Sequence, residues 1–260
     1  MQLNLDGRPI DEWAIDVLRE FAPPGGKPYR VAYSGGKDST VILDLAKRAG
    51  VPFEAVYRFV PIDPPELRRF IFDQRKDLEN HLSVKIPTRS LISIARSRGV
   101  MPLRQLRWCC EILKEGGFDG EVVVTGIRWE ESVKRRRRAM VESCQRTGEW
   151  FVHPIIGWKS SDVWDYIRER NLPYCSLYDE GWKRLGCILC PMSRDVEKQS
   201  KRWPGIVRVW RKINDAVWHT RHTRHTRHFT HPDQQWEWWL DRDAKSDTDD
   251  SCPLFDGVTE

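Results

Sequence analysis

The residues best placed to do chemistry stand together at Ser34-Gly35-Gly36-Lys37-Asp38-Ser39-Thr40. Tyr29 to Tyr33, just before them, has the β-branched and aromatic character of a buried strand. After them Val41, Ile42, Leu45, Ala46 and Ala49 recur at helical spacing, and Gly50 and Pro52 end the run. A glycine turn between strand and helix aims free backbone N–H groups and the positive end of a helix dipole at one spot, which suits a phosphate. Lys37 and the hydroxyls of Ser34, Ser39 and Thr40 add donors there. The spacing does not satisfy the Walker pattern G-x-x-x-x-G-K-[ST]. Two further strand ends carry polar residues where open α/β sheets bind ligands: Asp63, which reads equally as a helix cap, and Gly126-Ile127-Arg128. Lys37, Asp38 and Arg128 are the candidate catalytic side chains; Ser34 to Thr40, Asp63 and Gly126 are the candidate nucleotide-binding set.

A second group is made of sulfur. Cys109 and Cys110 are adjacent, and Cys187 and Cys190 form a C-x-x-C. Four thiolates in two close pairs suit a [4Fe–4S] cluster or Zn²⁺, and buried structural thiols are the plain alternative. Cys175 reads as a packing residue. The third group is cationic: Lys134 followed by Arg135 to Arg138 is either a solvated face or an anion-binding patch for a substrate phosphate or a nucleic acid.

These groups need a scaffold, and the pattern supplies one. Strand-like runs at Tyr29–Tyr33, Phe53–Val60, Ser83–Ile86, Glu121–Gly126 and Phe151–Ile155 alternate with helical runs. That alternation predicts an α/β fold, a five-stranded parallel sheet with helices on both faces. Beyond Pro191 the chain turns Trp- and Arg-rich and helix-prone. The expected organisation is 1–193 for the nucleotide and cysteine domain, 194–240 for a helical extension and 241–260 for an acidic, disordered tail. Five of the seven histidines fall between His219 and His231, mostly in a His-Thr-Arg repeat read as a solvated low-complexity stretch. The 260 residues carry a formal net charge of +5, with no membrane-spanning apolar run and no signal-peptide pattern. The expected compartment is the cytoplasm. An odd count of seven cysteines fits metal or redox chemistry better than a disulfide framework.

SGGKDST matches the PP-loop of the N-type ATP pyrophosphatases, in the adenine nucleotide α-hydrolase-like group. More of the chain resembles the phosphoadenosine phosphosulfate reductase (CysH-like) family: VPIDPPELRRFI (60–71), WCCEILKEGG (108–117), VVVTGIRWEES (122–132), HPIIGWKSSDVWDYI (153–167) and LPYCSLYDEGWKRLGCILCPM (172–192). It looks most like the branch found in phages and mobile elements. The resemblance implies the family's five-stranded sheet, ATP with Mg²⁺ on the loop, and a [4Fe–4S] cluster on the CC plus C-x-x-C set, with Zn²⁺ as the alternative occupant. Two departures count. No Glu-Cys-Gly-Leu-His segment, whose cysteine attacks sulfur in the true reductases, is found in these residues; Cys252 is the late cysteine, in acidic surroundings. And SGGKDS is intact, as in enzymes that cleave ATP.

Three functions remain open from these residues. The first is ATP cleavage to AMP and pyrophosphate to activate an acceptor, with sulfur transfer to nucleic acid and a sulfur-donor or redox protein as partner. The second is sulfonucleotide reduction, with Arg128 and Arg135 to Arg138 holding sulfate or phosphate. The third is a non-catalytic accessory of a mobile-element or CRISPR-type system.

Overall fold

The computed structural model describes residues 7–78, 81–115, 117–144, 148–220 and 229–241. Six strands form one sheet: β1 (Tyr29–Ala32), β2 (Phe53–Arg58), β3 (Leu82–Lys85), β4 (Val122–Val124), β5 (Val141–Ser143) and β6 (Trp150–Val152). Their order is β3-β2-β1-β4-β6-β5. All five expected strands are present and parallel: Val31 lies opposite Ala55 on one side and Val124 on the other, Val56 opposite Ser83, and Val123 opposite Phe151. The strand that periodicity does not predict is β5. It runs antiparallel on the edge, with Glu142 opposite Phe151. Three residues are too few to show alternation, and beside the pairing the Cys144 amide donates to the Glu149 carbonyl at 2.8 Å.

The helices are α1 (Ile10–Glu20), α2 (Lys37–Ala49), α3 (Pro65–Asp77), α4 (Leu91–Arg98), α5 (Trp108–Leu113), α6 (Val133–Arg136), α7 (Ser160–Glu169), α8 (Val196–Arg202), α9 (Pro204–His219) and α10 (Pro232–Leu240). None of the described helices is long and apolar enough to cross a membrane. Residues 221–228, most of the His-Thr-Arg repeat, and 242–260, nearly all of the expected tail, lie outside the described residues.

Described residues fall into two units. The sheet unit draws on the described residues within 1–59, 65–86 and 116–185; the helical unit draws on those within 60–64, 87–115 and 186–260. In the sheet unit β1 is central, with β2 to one side and β4 to the other. The loops leaving the carboxyl ends of β1 and β4 therefore start at the switch point of the sheet, where this architecture leaves a crevice. Helix α2 is the element that aims the first loop. Its buried Val41, Ile42, Leu45, Ala46 and Ala49 form one stripe. Asp38 stands in its first turn and Lys47 and Arg48 in its last, matching the dipole. Gly50 ends it in the left-handed conformation, φ 68°. Helices α1 and α7 both pack on α2, and the Tyr29 hydroxyl ties β1 to α1 by donating to the Leu18 carbonyl at 3.0 Å.

The helical unit is built on α4 packed against α9, and α9 against α10. Its centre is a pair of fully buried indoles, Trp210 and Trp239, 4.9 Å apart. Each satisfies its N–H: Trp239 donates to the Pro102 carbonyl at 2.8 Å and Trp210 to the Ile188 carbonyl at 2.9 Å. Ile188 lies inside the C-x-x-C turn, so the core of this unit reaches directly to the cysteines. Trp210→Phe keeps an aromatic ring but leaves the buried Ile188 carbonyl without its donor. The expected cost is about 1–3 kcal/mol, seen as a lower urea midpoint for the variant; an unchanged midpoint would show that the hydrogen bond does not hold this core.

Candidate functional site

The phosphate-type turn is built by two glycines with different reasons to be there. Gly35 has φ +70°, and a Cβ on it would stand 2.6 Å from Cγ1 of Ile71 on α3. Both backbone and packing forbid a side chain there. Gly36 has φ −79° and ψ 159°, which any residue adopts, and a Cβ would meet Ser34 Oγ at 3.4 Å and the Tyr178 hydroxyl at 3.6 Å. Its missing side chain leaves the mouth of the turn open. The hydroxyls expected to add donors are engaged inside the turn instead. Ser39 and Thr40 donate to the Gly36 carbonyl at 2.8 and 3.2 Å, and Ser34 Oγ donates to Ser39 Oγ at 3.2 Å. Ser34 N also donates to Ser39 Oγ. Among the described residues, the amides of Gly35 and Gly36 meet no acceptor.

Lys37, Asp38 and Arg128, expected to work together, are brought together. One Asp38 oxygen accepts from Lys37 Nζ at 2.9 Å and the other from Arg128 Nε at 2.7 Å. Arg128 is 3 % exposed and also donates to Glu130 at 2.8 Å and to the Trp158 carbonyl at 3.3 Å. Burial acts to lower the Arg128 pKa, but Asp38 and Glu130 outweigh it and hold the value above the ordinary one. Glu130 is held below the usual carboxylate range by Arg128 and by the Ser160 amide. Gly126 makes this approach feasible, since a Cβ there would lie 3.0 Å from the Asp38 carbonyl. Of the basic run, Arg135 pairs with Glu131 and Arg138 with Glu142. Lys134, Arg136 and Arg137 are exposed and pair with no carboxylate among the described residues.

Two neighbours of this site were not singled out from the sequence. Tyr178 accepts from the Lys37 amide at 2.9 Å. His153, 1 % exposed, bonds Thr125 Oγ1 through Nδ1 at 2.7 Å and lies 3.2 Å from Glu142 through Nε2. Both stand in motifs quoted above, but neither has a local spacing that announces its partner.

Asp63 stands with the other group, in the helical unit. It is 3 % exposed, with Lys114 Nζ 3.7 Å from its carboxylate. Lys114, Cys109, Cys110, Cys187 and Cys190 line one cavity, closed by apolar residues including Ile62 and Trp210. The C-x-x-C turn is held tightly. Leu189 takes φ 55°, unusual for a branched residue, and its amide donates to Gln199 Oε1 at 2.7 Å. The Ile188 amide donates to the Ile62 carbonyl at 2.9 Å. The hydrogen bond with Cys109, together with Arg107, pushes the Cys110 thiol down to about 5 against the effect of burial. The same bond, with burial, pushes Cys109 up. Burial pushes Cys187 up to about 12, with Lys114 acting against it.

These are soft donors of the kind that hold an iron–sulfur cluster or Zn²⁺. Four soft ligands share a cavity with the cation Lys114, and Arg107 bonds Cys110, so both offset thiolate charge. Among the described residues no three His, Cys, Asp or Glu side chains are arranged for a single metal ion.

Comparisons with known proteins bear on the family and the fold. A family model described as the phosphoadenosine phosphosulfate reductase domain matches residues 28–193. The adenosine 5′-phosphosulfate reductase of Oceanobacillus iheyensis is 29 % identical over 205 residues, 75 % of this chain and 82 % of the relative. The uncharacterized protein MJ0066 of Methanocaldococcus jannaschii is 28 % identical over 216 residues; the match takes in 77 % of this chain but spans only 44 % of that protein. The solved phosphate complex of phosphoadenylyl-sulfate reductase from Candida auris aligns at a TM-score of 0.54 with 20 % identity, covering 72 % of this chain and 97 % of that one, a likeness of fold.

The burial of His153 generates a pH effect. Burial is the main cause that lowers the His153 pKa below 6.5; Glu142 opposes it, and Arg138 and Arg135 add to it. A histidine with a lowered folded pKa binds fewer protons folded than unfolded between that pKa and 6.5, so stability falls as pH drops through this window. The thermal midpoint should therefore decline on acidification from about pH 8 to about pH 5, with a shallower decline in His153→Gln. Equal slopes for the two proteins would exclude this role.

Proposed function

The chain belongs to the phosphoadenosine phosphosulfate reductase family, and from that premise we propose that it is a PP-loop enzyme that cleaves ATP to AMP and pyrophosphate to activate an acceptor. The observation that carries this reading is the intact glycine turn at the head of α2, with Lys37 and Arg128 sharing the Asp38 carboxylate beside it. The β- and γ-phosphates of ATP, with Mg²⁺, lie on the free amides of Gly35 and Gly36. An acceptor oxygen attacks the α-phosphorus, the bond to the bridging oxygen breaks, and pyrophosphate takes the electron pair. Lys37 offsets the charge that grows on pyrophosphate. Fixed donors serve such a reaction well because they need no rearrangement as charge develops. Arg128 works through Asp38, since its own charge is matched by Asp38 and Glu130. Gly126 keeps the second loop close enough for that contact.

The acceptor in this reading is a nucleic acid. Exposed Lys134, Arg136 and Arg137 offer unmatched positive charge for a phosphate backbone. A sulfur-donor protein then supplies the nucleophile that displaces AMP from the activated acceptor. Cys109, Cys110, Cys187 and Cys190 are the residues that would hold a [4Fe–4S] cluster, which supplies one-electron chemistry when bound. Lys114 and Arg107 offset its thiolate charge, and Asp63 orients Lys114.

A second reading, sulfonucleotide reduction, is favoured by the family and by the four-cysteine cavity. The two separate in one assay. Pyrophosphate release from ATP, stimulated by RNA or DNA and lost steeply with added salt, is the expected result. Gly36→Leu, which fills the mouth of the turn without straining its backbone, should abolish it while leaving the fold intact. Thioredoxin-dependent sulfite release without ATP turnover would establish the reductase reading instead. The metal site has its own test. Anaerobically purified protein should contain iron and sulfide with broad visible absorption, and both should vanish in the double variant Cys187→Ser/Cys190→Ser. Stoichiometric zinc without sulfide would overturn the cluster assignment.

A further inference from the structure

Tyr178 has no place in the chemistry so far, yet it occupies the most valuable position at the turn. Its hydroxyl oxygen accepts the Lys37 amide, the first amide of α2, at 2.9 Å. The same oxygen lies 3.6 Å from where a Gly36 Cβ would be, so it stands over the mouth of the turn. The ring is braced rather than loose. Trp164 meets it edge-on at 5.0 Å and Tyr174 packs at 6.4 Å. The preceding Leu177 is fully buried and anchors the segment.

The hydroxyl therefore accepts one hydrogen bond and retains its own proton, for which the described residues offer no acceptor. An O–H that accepts from a helix N-terminal amide is polarised and becomes a stronger donor. Arg184 lies close enough to Tyr178 to act on its charge. It is exposed, and among the described residues it makes no hydrogen bond or ion pair. A polarised donor at a glycine turn, with an exposed guanidinium six residues on in the same loop, suits an anionic oxygen.

We propose that Tyr178 and Arg184 are phosphate ligands of the turn, the Tyr178 hydroxyl relaying the Lys37 amide to a terminal phosphate oxygen while Arg184 supplies the matching charge. The inference rests on the reading that nucleoside triphosphate binds at Ser34 to Thr40, and it adds a specificity: the pair selects ligands with phosphates beyond the α position. AMP, which lacks them, gains nothing from either residue.

The test compares ATP and AMP binding by equilibrium dialysis for the whole protein, Tyr178→Phe and Arg184→Gln. Loss of one charge-assisted hydrogen bond should weaken ATP binding about tenfold in each variant and leave AMP binding unchanged. Tighter ATP binding by Tyr178→Phe would overturn the proposal, because Tyr178 would then be a plug that phosphate must evict. Equal weakening of ATP and AMP would also overturn it, since that marks a structural role for the ring. Should Tyr178→Phe fail to fold, the exposed Arg184→Gln decides alone. Wild-type protein that binds no ATP would sink the nucleotide reading itself; wild-type binding with unaltered variants would sink only this proposal.

Discussion

The sheet unit depends on one shared carboxylate. Asp38 sits in the first turn of α2 and joins two cations from different elements, Lys37 beside it and Arg128 from the loop after β4. Arg128 is almost wholly buried, and a buried charge is tolerated only when it is paired. Breaking such a pair by removing one partner costs about 3–5 kcal/mol, far more than a surface ion pair contributes. The contact therefore fixes where the β4 loop lies against the head of α2. Gly126 is the steric half of the same constraint, because any side chain there would push against the Asp38 carbonyl.

The helical unit answers a different constraint. Its cysteines are presented from two short segments, helix α5 and the C-x-x-C turn. The C-x-x-C turn is locked by groups outside it: Ile62 and Gln199 take its amides, and Trp210 takes its carbonyl. Leu189 is held in the left-handed region within this frame, a strained conformation that persists because its surroundings over-determine it. Cys109 and Cys110 come from the first turn of α5, where adjacent thiols settle into one donor and one acceptor.

The legible parts of this chain were those carried by local pattern. The glycine turn, the five parallel strands and the helices of the last third follow from periodicity and punctuation over a dozen residues or fewer. That Cys109, Cys110, Cys187 and Cys190 line one cavity matches their reading as one group. What was not legible depends on distant partners. Tyr178 meets Lys37 across 141 positions of sequence, and His153 meets Thr125 across 28. The edge strand β5 is three residues long and is defined by its neighbour, not by its own composition. The hydroxyls of Ser34, Ser39 and Thr40 were readable as donors but not as donors already committed, since hydroxyl direction is a property of the folded turn.

That commitment changes how the turn can hold an anion. With Ser39 and Thr40 donating to the Gly36 carbonyl, the turn is closed by its own side chains and has no need of a ligand to keep its shape. Its remaining donors are the amides of Gly35 and Gly36, the Tyr178 hydroxyl and the ammonium of Lys37. Amides on a closed turn cannot reorient, so they lose little entropy on binding and offer the same field before and after charge moves. Lys37 is the mobile member, but Asp38 anchors its ammonium at 2.9 Å. A turn that spends its flexible donors on its own closure, and keeps its rigid ones free, can meet an anion without rearranging.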